Sequence, residues 1–172
     1  MTTKKLKIKH MKKIFLSLFI LSSVMLFSQA SVCGQFHRKF CVVETKKGDN
    51  GGWMYNAQSK SGLFNQGSTS KVRCVIYKGM DYRINVCCET AIGDKLSYKI
   101  FDARTSELLY DNSTAQNEPL FEFQSTATRQ LFIEVTVPNG ATSQDKHKPM
   151  EAACVGLLIE HKVTERQGFS QY

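Results

Sequence analysis

Four stretches of this chain place apolar side chains at every second position, and that spacing limits the fold more than any other feature. Leu131, Ile133, Val135 and Val137 share one face of residues 130–137. Val72, Cys74 and Ile76 do so in residues 71–77, and Tyr82, Ile84, Val86 and Cys88 in residues 82–88. Leu96, Tyr98 and Ile100 repeat the pattern in residues 95–102. A period of two is the mark of a half-buried β-strand. Fainter versions occupy residues 36–44, 107–110, 120–124 and 155–161. Turn residues separate these runs, at 48–52, 79–81, 93–94, 111–113 and 138–140. No long helical stripe follows residue 30. About eight short antiparallel strands with frequent turns predict an all-β fold, a sandwich or jelly roll, with a closed barrel as the other arrangement.

Residues 1–30 stand apart. Six lysines and no acid precede an apolar run of 14 residues at 14–27, and Ser28-Gln29-Ala30 follows. That is the pattern of a secretory signal peptide, too short for the ~20 residues of a membrane-spanning helix. An uncleaved anchor and a lipoprotein acylated at Cys33 are the other readings of the segment. The domain expected after it covers residues 31–172, with its core at about 34–162 and a polar tail at 163–172. No membrane span is expected in the mature chain. Export makes the expected location secreted, periplasmic or cell-envelope.

The leader also explains the charge. The whole chain carries 23 basic and 15 acidic residues. Removing the six leader lysines leaves 17 against 15, with no basic stripe. Nucleic acid is therefore not an expected partner.

All six cysteines (Cys33, Cys41, Cys74, Cys87, Cys88 and Cys154) lie beyond the leader. In an exported chain they are disulfide candidates. If residues 71–77 and 82–88 form a hairpin about Gly79-Met80-Asp81, their even positions face each other. Cys74 then lies within about one pair of Cys88. That predicts a Cys74–Cys88 bridge, leaving Cys33 with Cys41 and Cys87 with Cys154 as one of fifteen connectivities. No cysteine pair has zinc-ligand spacing, since Cys33, His37 and Cys41 spread too far along a strand to converge. No metal or cofactor is expected.

Catalytic signals are sparse. There is no G-x-S-x-G turn. His37, His147 and His161 read as surface residues. The turn residues Asp49, Asn50, Asp111 and Asn112 could hold calcium, but turns select them for backbone reasons. The stretch that looks more than structural holds Trp53 and Tyr55, followed by Phe64. Aromatics beside glycine- and serine-rich loops can form a platform for a sugar or a protein; they can equally cap the core.

The succession of strands from residue 71 to 162 resembles the bacterial pre-peptidase C-terminal domain and related jelly rolls. The resemblance is carried by Ile100-Phe101-Asp102, the turn at 103–106 and the short strand Leu108-Leu109-Tyr110. The cysteines, and the lack of a glycine–tyrosine pair before Leu131, depart from that pattern. The leader resembles those of Bacteroidetes-type secreted proteins. Such a resemblance implies a non-catalytic accessory or adhesion module that binds a protein, a glycan or an envelope component. The alternative is a small secreted hydrolase whose site no motif reveals.

Overall fold

The computed structural model describes residues 33–44, 51–90, 96–139 and 152–164. The leader, the Asp49-Asn50 turn, His147 and the tail from residue 165 lie outside them. The described elements are α1 (Phe36–Phe40), β1 (Met54–Tyr55), β2 (Lys60–Asn65), β3 (Thr69–Ile76), β4 (Met80–Cys88), β5 (Ser97–Asp102), β6 (Leu108–Asp111), β7 (Leu120–Ser125), β8 (Arg129–Thr136) and β9 (Ala152–Val163). A 3-10 turn at Asn112–Ala115 follows β6.

The strands form two antiparallel sheets. One runs β1-β9-β4-β7, with β2 beside β1 along the same edge of β9; the other runs β3-β8-β5-β6. The all-β sandwich read from the alternation is the fold. The apolar faces of the two sheets meet in the core, with Ile84 and Val86 of one sheet against Tyr98, Ile100, Leu131, Ile133 and Val135 of the other. Phe64 packs against this cluster.

The expected hairpin is absent. β3 pairs with β8, and β4 pairs with β7 and β9, so the turn at 77–79 carries the chain from one sheet to the other. Alternation fixes which face is buried, and that reading was correct. It does not fix which strand lies alongside. The crossing is held by Tyr82, whose hydroxyl accepts the Tyr77 N–H at 2.9 Å, and by Gly79, whose φ of +78° is one that L side chains rarely adopt. Burial is the first cause that raises the Tyr82 pKa.

Two further differences concern the first third of the chain. The expected strand at 36–44 begins as the five-residue helix α1. The segment at 60–65 is a strand, β2, which the pattern did not reveal. Gln58 lies just before it and closes part of the β3 edge. Its Oε1 accepts the Val75 N–H at 2.7 Å and its Nε2 donates to the Val75 carbonyl at 3.0 Å. A side-chain amide thereby takes the place of a neighbouring strand.

The turn oxygens are committed to the backbone. Asn112 is buried, accepts the Tyr98 N–H and donates to the Leu96 carbonyl. Asp111 accepts the Ser113 N–H. Asp102 accepts from Arg104 and Thr105, and the Arg104 N–H is the first cause holding its pKa low.

Tyr82→Phe removes the hydroxyl that holds the crossing and leaves the Tyr77 N–H without its acceptor. A loss of about 1–2 kcal/mol in urea-induced unfolding, with an unchanged m-value, is expected.

Candidate binding surface

The outer face of the β9 sheet is not bare. In β9 the residues from Ala153 to Ile159 are all buried, although alternate ones face away from the sandwich core. Cys154, Gly156 and Leu158 take that outer side, with Cys87 and Asn85 of β4 and Ser61 of β2 as their neighbours in register. The segment carrying α1 lies on top of them.

Gly156 makes this possible. A Cβ there would stand 2.9 Å from His37 Cα and would run into Cys41 Sγ. No side chain fits between strand and helix. Two disulfides then fix the helix at either end. Cys33 bonds Cys154 on β9, and Cys41 bonds Cys87 on β4, across sequence separations of 121 and 46 residues. Cys33, Phe36 and Cys154 form a small second core, with Cys87 packed against it. Asn85 Nδ2 adds a hydrogen bond to the Cys41 carbonyl at 2.8 Å. Bridges of this kind belong to an oxidising, extracytoplasmic compartment.

This connectivity corrects the expected one. Cys74 and Cys88 carry thiols and are not joined. They sit in different sheets, with Cys74 opposite Leu131 and Cys88 opposite Val155. Cys33 and Cys41 do not bond each other, because each reaches down to a separate strand. Cys74 is buried, and desolvation pushes its pKa up to about 12. That thiol is neutral and unreactive.

His37, expected at the surface, is buried on the underside of α1. Ser61 Oγ accepts its backbone N–H at 2.9 Å and lies 2.5 Å from its Nδ1. In the tautomer protonated at Nε2, the Ser61 hydroxyl donates to Nδ1. Nε2–H then donates to Tyr55 Oη at 3.1 Å. This network suits a neutral imidazole. Burial lowers the His37 pKa, and the charges of Arg38 and Lys60 lower it further. The Arg38 guanidinium lies 4.0 Å over the Tyr55 ring.

The expected aromatic platform is divided by the fold. Trp53 is half-buried, with the Arg83 guanidinium 4.7 Å and Lys162 Nζ 4.6 Å from its ring centroid. Arg83 itself pairs with Glu160 at 2.6 Å. Tyr55 belongs to the same outer side through its contacts with α1, whereas Phe64 turns to the core. What the sequence reading missed is the helix itself. Phe36 is buried while Phe40, its ring 4.7 Å away, is 66% exposed. Val42 and Leu63 are similarly exposed. Arg38, Lys39 and Lys60 accompany them at the surface. The available signal was the lone Gly156 inside an otherwise bulky apolar strand.

No family model matches the chain, and no curated protein does. Among solved structures, a crystal structure of Aeromonas hydrophila PliG, a periplasmic inhibitor of g-type lysozyme, is similar at 12% identity. The match covers 71% of this chain and 93% of that one, with a TM-score of 0.41. At that score the likeness carries nothing about partner or activity.

Gly156→Ala should push α1 off the sheet and cost about 1–3 kcal/mol, read as a lower thermal midpoint. A second measurement concerns pH. The folded His37 pKa lies below the ordinary 6.5, so the unfolded chain takes up the proton first. Stability is complete above pH 6.5 and falls as the pH drops through it toward the lowered folded value. Urea midpoints should decline between pH 7 and pH 5, and less so in His37→Gln.

Proposed function

We propose that this chain works outside the cytoplasm as a non-catalytic binding module, and that the clamped segment from Cys33 to Cys41 holds an acidic protein surface. The observation that carries this reading is the five-residue helix fixed at both ends by bridges to adjacent strands. A helix of that length has no stability of its own in water. The sulfur bonds and Gly156 order it before any partner arrives. Docking then loses little conformational entropy, which favours affinity. The groups it presents are of the kind that dominate interfaces, an exposed phenylalanine and an arginine beside a tyrosine. Arg38, Lys39 and Lys60 give the surface a positive bias that an acidic partner complements. The resemblance to pre-peptidase C-terminal modules supports the same non-catalytic role.

The contact between Ser61 Oγ and His37 Nδ1 favours a second reading, a small secreted hydrolase. Against it, the Ser61 oxygen also accepts the His37 backbone N–H, and Nε2 meets a tyrosine where a triad places a carboxylate. The contact is explained as an anchor for the helix.

A photo-cross-linking residue at position 40 identifies the partner, and calorimetry with that purified partner tests the surface. Phe40→Ala and Arg38→Glu should each weaken binding about tenfold or more, leave the thermal midpoint in place, and make affinity less salt-dependent in the second case. Binding by both variants at the original strength would remove the proposal. Ester or glycan turnover that disappears in Ser61→Ala would put the hydrolase in its place.

A further inference from the structure

The outer face of the β3-β8-β5-β6 sheet lies on the opposite side of the sandwich from α1, which packs on β9, β2 and β4. Its side chains fall into rows that run across the strands. Arg73, Phe132, Phe101 and Leu108 are register partners in turn from β3 to β6. Lys71, Glu134, Lys99 and Asp111 make the next row. Thr69, Thr136 and Ser97 make the one beyond.

The rows differ in kind. Two phenylalanines stand side by side on a face whose next two rows are polar. Both are half-buried, and Leu108 beside them is 49% exposed. The Arg73 guanidinium lies 4.9 Å from the Phe132 ring centroid, and Lys71 Nζ lies 5.8 Å from that of Phe101. The charged row alternates in sign and pairs within the chain, Lys71 with Glu134 at 2.9 Å and Lys99 with Asp111 at 3.0 Å. From β3 its signs run plus, minus, plus, minus; from β6 they run in the opposite order. The apolar row has its two rings at the centre.

We infer that this face pairs with the same face of a second copy of the chain, about a two-fold axis running along the strands between β8 and β5. A two-fold interface brings residue i to j and j to i. This axis sets β3 over the partner's β6 and β8 over the partner's β5. Lys71 then faces the partner's Asp111, Glu134 faces the partner's Lys99, and Phe132 faces the partner's Phe101. Every charge gains an opposite charge above it, and the rings bury one another. An axis across the strands would instead set like charges together or charges over phenylalanines. Stacked sheets lie about 10 Å apart with strands within roughly 30° of each other, so the contacts beside the axis are the firmest. A four-stranded face of roughly 20 by 20–25 Å places the pair among weak, transient interfaces. Both α1 surfaces stay on the outside of the dimer.

Sedimentation velocity on the oxidised, exported protein tests this. A monomer–dimer equilibrium with a dissociation constant on the order of 10–100 µM is the expected result. Phe132→Ala should weaken it about tenfold or more. Glu134→Lys and Lys99→Glu should each do the same, because symmetry enters each change twice and sets like charges together. Mixing those two variants in equal amounts should restore dimers at about the original strength, since Lys at 134 then meets Glu at 99 in both halves of the interface. That rescue requires both variants to be folded. A monomer up to about 1 mM, single variants that dimerise at the original strength, or a mixture that stays monomeric would each overturn the assignment.

Discussion

One missing side chain decides how this protein is layered. Without a Cβ at Gly156, the backbone of α1 comes to rest directly on β9. A third, partial layer forms on what would otherwise be the wet side of a two-sheet sandwich. The sulfur bonds then lie within reach because the helix is already against the strands. Sheets with both faces covered read as continuous apolar runs rather than alternating ones, and β9 has that character from Ala153 to Ile159. The proposed binding surface therefore depends on an absence in the strand below it.

The same fact shows what the sequence could reveal. β3, β5 and β8 each have one face in the core and a more open face outside, and β4 carries Arg83 and Asn85 on its covered outer face, so their alternation was plain. β9 was faint because α1 covers its outer side and erases the polar half of the pattern. β2 was invisible for another reason. It is a short edge strand with Gly62 at its centre and no fully buried side chain. Residues 36–40 were read as a strand because Phe36 and Phe40 can sit on one face of either element. Their four-residue spacing is also that of a helix face.

The cysteine pairing failed for a geometric reason. Parity placed Cys74 and Cys88 correctly on inward faces, but parity is shared by every inward residue in both sheets. Deciding between partners required knowing that the turn near Gly79 changes sheets, and that knowledge resides in the Tyr82 hydroxyl and its distant contacts. The candidate surface was half legible. Tyr55 was recognised from its aromatic neighbourhood, whereas His37, Arg38 and Phe40 become a unit only when two bridges bring their segment to β4 and β9.

The depth of Cys74 bears on how the chain is made. Six thiols entering an oxidising compartment together can scramble, and each wrong partner must later be exchanged through a thiolate. A thiol sealed between the sheets, with its ionisation suppressed, has left that competition. Early closure of the sandwich would remove it from the pool and leave fewer sulfurs to choose among. With that order of events, the hydrophobic interior would also limit which sulfurs can pair.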